Sequence, residues 1–136
     1  MDEFALQTAL FERLSGDAAL AGLGVTVCDA PAQGEDGDAA AAFPRVAIGE
    51  MDVRDVGTKG SDLFDVIVRV HTFSASGSHA EARAIQRRIF ELLHRAAFAV
   101  PGHNLVMIRR ERSTIDRDPD RLRHGLCEYR LLIEPL

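Results

Sequence analysis

The chain has no tryptophan, a single tyrosine (Tyr129), a single lysine (Lys59) and two cysteines among its 136 residues. Cys28 and Cys127 are far apart and lack CxxC spacing, so there is neither a disulfide framework nor a zinc knuckle; both read as reduced, intracellular, structural residues. No apolar run approaches the ~18 residues of a membrane helix. The chain opens Met1-Asp2-Glu3, without the basic and apolar regions of a secretory signal. With so few aromatics and none interleaved with basic residues, there is no base-stacking platform. A net charge of -5 argues against a basic nucleic-acid face. What is present is ordinary for a globular domain: 46% hydrophobic and 27% charged residues. One domain of this length buries roughly two thirds of its unfolded surface.

Apart from Lys59, every basic residue is arginine. GC-rich coding explains that bias, and the alanines with it. Arginine forks also suit interfaces and carboxylate partners, and the two readings are compatible.

Motifs of chemistry are missing. There is no GxxxxGK[ST] and no GxSxG, and Gly22-Leu23-Gly24 lacks the third glycine of a dinucleotide loop. The five histidines (His71, His79, His94, His103, His124) form no i,i+4 or HxH pair. The acidic runs 35–38 and 116–120 do not fit a calcium loop. No catalytic, cofactor or metal residue is expected. Asp65, Arg69 and His71 share one strand face and are the best candidates to line a pocket, should the chain be a small enzyme or ligand-binding domain.

Periodicity orders the rest. Leu6, Leu10 and Leu14 form one stripe of a helix over residues 2–14, ended by Ser15-Gly16-Asp17. Asp17 then caps a short turn through 18–21. Residues 25–28 read as a strand. Residues 29–43 (DAPAQGEDGDAAAAF) are acidic and too poor in large apolar side chains to order themselves, and read as a mobile loop or a partner-contacting arm. Strands follow from residue 45 and over 63–73, joined by turn chemistry at 57–61 into a long antiparallel hairpin. In the second strand Phe64, Val66, Val68, Val70 and Thr72 share one face. Ser78-His79-Ala80-Glu81 reads as a capping box opening a helix to about Ala97, with Ala82, Ile85, Ile89, Leu92 or Leu93, and Ala96 buried. Two more strands, from Leu105 and from Arg123, flank the turn Asp118-Pro119-Asp120. The last alternates Cys127, Tyr129, Leu131 and Ile133 inward. The expected class is α+β, a mainly antiparallel sheet of four to five strands with two helices packed against it, in the order α-β-β-β-α-β-β. The mixed-sign residues 109–124 read either as an ordinary exposed hairpin or as inter-subunit ion pairs.

The order of segments is informative in its own right. Phe11-Glu12-Arg13-Leu14-Ser15-Gly16-Asp17-Ala18-Ala19-Leu20 is followed by Ala42-Phe43-Pro44-Arg45-Val46-Ala47-Ile48-Gly49-Glu50 and Arg54-Asp55-Val56-Gly57-Thr58-Lys59-Gly60. Then come His71-Thr72-Phe73-Ser74, Ala80-Glu81-Ala82, His124-Gly125 and Glu134-Pro135. This series resembles the tail completion, or tail terminator, proteins of long-tailed phages and of alphaproteobacterial gene transfer agents, over nearly the whole chain. The resemblance implies a single domain over 1–136 and a structural, non-enzymatic role without cofactors. Such proteins form a homohexameric ring on the head-proximal end of the tail tube. Their ring ends tube polymerisation and meets a head-side connector. DNA passes through the lumen without specific binding, and no membrane is involved. Assembly would take place in the bacterial cytoplasm, into a phage-like particle. A stopper or adaptor at the same junction is the neighbouring alternative. A closed ring needs two different complementary patches per subunit. The expected interface residues are Arg54, Asp55, Lys59, Arg109, Arg110, Arg112, Asp116, Arg117, Asp118, Asp120 and Arg121.

Overall fold

Apolar residues at helical and strand spacing converge on one face of a single sheet. The computed structural model describes residues 1–28, 43–118 and 122–136. Within them lie helices α1 (Glu3–Ser15), α2 (Ala18–Gly22) and α3 (Ala80–Leu93) and strands β1 (Thr26–Cys28), β2 (Arg45–Asp55), β3 (Phe64–Ser74), β4 (His103–Arg117) and β5 (Arg123–Pro135). The sheet runs β1-β2-β3-β5-β4. The fold is α+β, as the residue pattern implied. The sheet is mainly antiparallel, and its one parallel pairing joins β1 to β2, Thr26 beside Arg45. One difference from the sequence reading is that the turn after Asp17 completes a helix. The Asp17 carboxylate accepts from Leu20 N at 2.9 Å and starts α2.

The helices share one side. Leu6, Leu10 and Leu14 of α1 and Ile85, Ile89 and Leu93 of α3 are buried against Val46, Ile48, Val66, Val68, Val70, Ile108, Tyr129, Leu131 and Ile133. The inward set of β3 and β5 is the one that period-2 alternation selects. Polar bonds then fix the helices to one another. Arg88 Nε and Nη2 grip the Asp17 carboxylate at 2.9 and 2.6 Å, and Arg13 Nε donates to Leu92 O at 2.6 Å. The Arg88 fork holds the Asp17 carboxyl below its ordinary value.

Two details of α3 correct the sequence reading. Ser78 Oγ accepts from Ala80 N, but Glu81 turns away to accept from Ser74 Oγ at 2.5 Å, so no capping box closes. The helix stops at Leu93, short of Ala97. His94 leaves the helical backbone and its Nδ1 accepts from Arg110 N at 3.1 Å, while Arg95, at φ 57°, donates its own N–H to Ile108 O. Those bonds to the border strand β4 satisfy backbone that another helical turn would leave unpaired.

Gln86, which the apolar stripe does not include, is also buried. Its Nε2 donates to Thr114 O at 3.1 Å and its Oε1 accepts from Ser113 Oγ at 3.3 Å, tying α3 to β4. It crosses above Gly125 of β5, where a Cβ would collide with the Gln86 amide. Gly125→Ala is therefore expected to cost about 1–3 kcal/mol in urea unfolding. On a Gln86→Ala background that cost should fall by at least half, because the obstructing amide is gone.

Candidate docking surfaces

The face of the sheet opposite the helices carries arginines and carboxylates in alternation. Asp65 is central: its side chain is 8% exposed, between the Arg130 fork (2.9 and 2.7 Å) and Arg54 (3.6 Å). The Arg130 hydrogen bonds hold the Asp65 carboxyl below its usual range against the opposing effect of burial, and the charges of Arg130, Arg54 and Arg109 act in the same direction as those bonds. Four residues along β3, beyond Ile67 on the same face, Arg69 bridges Asp52 of β2 and Glu128 of β5, both at 3.2 Å. Arg112 stands opposite Glu128 in the ladder. Arg109 stands opposite Arg130 and discharges onto Glu111 at 2.5 Å.

Further along, the pattern becomes aromatic. His71 Nε2 meets Glu50 Oε1 at 2.9 Å, and its Nδ1 lies at hydrogen-bond distance, 2.9 Å, from His124 Nε2. The two rings stack with centroids 5.1 Å apart; Phe73 lies 4.7 Å from His124, and Arg45 covers Phe73 at 4.8 Å. Gly49 makes the room: a Cβ there would be 2.8 Å from His71 Cδ2. Burial holds His124 below the ordinary imidazole value, the His71 charge adds to that, and Asp118, Asp116 and Glu50 oppose it. The hydrogen bond to His71 lowers the Glu50 carboxyl.

The expected interface residues are dispersed over this body. Asp55 and Lys59 sit at the β2–β3 turn, where Asp55 Oδ1 accepts from Gly57 N at 2.9 Å and Lys59 is exposed. Asp116, Arg117 and Asp118 sit by the β4–β5 turn, at the opposite end, because Phe64 pairs with Ile133 whereas Ser74 pairs with Arg123. Asp120 and Arg121 lie outside the described residues, as does the acidic loop up to residue 42. Arg54, Arg109 and Arg112 belong to the charged face. Arg110 points the other way, against the Phe90 ring of α3 at 4.4 Å. Asp65, Arg69 and His71, which share a strand face, are not brought to one cavity. A depression of about 520 Å³ takes in Asp65 with Asp52, Arg54, Glu111 and Arg130, while Arg69 and His71 are spent on their own pairs. Among the described residues no three His, Cys, Asp or Glu side chains are grouped to hold a metal. Cys127 is buried, which raises its thiol, and both Cys28 and Cys127 are free. The histidine pair and the Arg130 fork were not foreseen, since their members are 53 and 65 positions apart.

The sheet is covered by helices on one side and salt-bridged on the other, and its two edges are unlike. Residues 8–134 match the family described as tail completion protein gp17, and the chain belongs to that family of structural tail proteins. Its fold is also that of a chain in the solved virion of a native gene transfer agent (GTA) particle: TM-score 0.82 at 24% identity, covering 95% of this chain and 94% of that one. No curated protein matches.

Acid should lower the stability of the fold in two successive declines. The depressed imidazole of His124 contributes stability that is complete above the unfolded value of about 6.5 and is lost as pH falls through the folded value. The Asp65 carboxylate does the same below an unfolded value of about 4. The urea midpoint should be level between pH ~7 and ~8 and fall on the acid side first with His124, then with the lowered carboxyls of Asp65, Asp17 and Glu50. His124→Phe, which keeps the stack, should remove the first decline. Asp65→Asn should lower the midpoint at neutral pH and flatten the second.

Proposed function

We propose that the chain forms a six-subunit ring on the head-proximal end of a tail tube, ends tube growth there, and meets the head-side connector. The observation that carries this reading is the family match over nearly the whole chain. The sheet supports it: a three-residue parallel strand borders one side and a fifteen-residue antiparallel strand the other. Unlike edges favour head-to-tail association, and a closed head-to-tail ring has no free edge.

In this reading the two ends face different partners. Asp55 and Lys59 mark one end; Asp116, Arg117 and Asp118 mark the other. Arg54, Arg109 and Arg112 lie between, on the charged face, where neighbouring copies would exchange ion pairs.

Deleting the gene in cells that make the particle, followed by electron microscopy, tests the role. Tubes of uncontrolled length without heads are expected. Tails of normal length joined to heads would overturn the proposal. Tails of normal length without heads would favour a stopper or adaptor. Lys59→Glu should move stability by less than about 0.5 kcal/mol, as a surface change. It should nevertheless lower the yield of complete particles in a complementation assay.

A further inference from the structure

A second feature lies on the helix side of the sheet, at the β4 edge. Between α3 and β4 runs a groove of about 500 Å³ whose walls carry Arg83, Arg87 and Arg110, with Phe90, Ser113 and Thr114 between them. Arg83 and Arg110 have no carboxylate partner among the described residues, and Arg87 has only the exposed Glu91 at 3.7 Å. Arg110 is held in place over Phe90, so its guanidinium is already ordered before anything binds. Buried Gln86 fixes the floor through Thr114. The groove concentrates positive charge that carboxylates among the described residues answer only through Glu91.

The chain also concentrates negative charge in one stretch of its sequence. Asp29, Glu35, Asp36 and Asp38 fall within residues 29–42 with no basic residue among them, and they account for most of the net charge of -5. That segment leaves the sheet at Cys28 and returns at Phe43, both at the β1 side. The groove is at the β4 side, the other edge of the sheet. Strand register puts the two at one level: Cys28 pairs with Ala47, Ala47 with His71, His71 with Leu126, and Leu126 with Thr114. Four inter-strand steps separate them, about 19 Å. A segment of 14 residues tied at both ends extends at most about 24 Å from its anchors. Crossing the sheet and passing around a helix layer about 10 Å thick exceeds that reach. A copy placed edge to edge brings its own segment next to the groove, at the same height.

We infer that the α3–β4 groove receives the acidic 29–42 segment of a neighbouring copy. The inference rests on the head-to-tail ring of the preceding section, and supplies its second contact beyond the sheet edges. Arginine forks accept carboxylates in bidentate geometry, and repeated weak contacts around a ring add through high effective concentration.

The test uses a synthetic peptide of residues 29–43 and the full chain, labelled with 15N and carrying Glu35→Gln, Asp36→Asn and Asp38→Asn so that the segments of other copies in solution do not compete. Saturable amide shifts at Phe90, Arg110, Ser113 and Thr114 are expected, weakening as salt rises. Arg83→Glu with Arg87→Glu, both exposed positions, should weaken binding at least tenfold; Arg83→Gln with Arg87→Gln should weaken it less. Absent groove shifts, equal binding by the charge-reversed protein, or equal binding by a peptide with its acids neutralised would each overturn the inference. So would displacement of the peptide by a short oligonucleotide of equal charge at lower concentration, which would reassign the groove to nucleic acid. This titration reads an isolated chain. If it succeeds while gene deletion leaves tails normal, the contact between copies stands and the tail role fails. If it fails while deletion disrupts tails, the reverse holds.

Discussion

Strand β3 is the constraint on which the molecule depends. It is paired on both sides along its length, with β2 and with β5. Its side chains must therefore alternate between two environments. Val66, Val68, Val70 and Thr72 go under the helices, and Asp65, Arg69, His71 and Phe73 go to the open face. A slip of one residue would exchange the two sets, burying Arg69 and His71 in an apolar layer. The apolar core and the charged face are thus two consequences of one register, and neither could be moved without the other.

The open face shows why arginine is used so heavily here. Asp65 is nearly buried, and a lone carboxylate there would be costly to desolvate. The planar fork of Arg130 satisfies both its oxygens at once, which a lysine ammonium cannot do. Arg69 similarly spans carboxylates on two strands. These bonds cross strands and so hold the register from outside, while the valines hold it from within. A covering layer of helices would have had to desolvate the whole lattice, which is a physical reason for all three described helices lying on the other side.

The border strand β4 is treated differently along its length. Near Ile108 and Arg110 its edge is bonded by His94 and Arg95 as the chain leaves α3. Beyond Arg110, the sheet ends at β4 and the neighbouring helix presents arginines. One stretch is closed by its own chain; the next is left open, polar and cationic. That division gives the two edges of the sheet different chemistry, the requirement for subunits that associate in a defined direction.

The elements themselves could be read from the chain because their causes are local. The Leu6–Leu10–Leu14 stripe, the valines of β3 and the Cys127–Ile133 alternation declare period and inward face within a dozen residues. The series of segments likewise suffices for the family, since order and spacing are properties of the chain. Other features depend on which strands become neighbours. The parallel pairing of β1, the meeting of His71 with His124, the grip of Arg130 on Asp65 and the passage of Gln86 over Gly125 join residues too far apart for periodicity to connect. For Arg110, strand alternation by itself separates it from Arg109, and only the tertiary structure supplies its partner, the Phe90 ring of α3. Hydrophobic spacing is set by a residue's near neighbours, whereas a charge finds its partner only after the sheet has chosen its order.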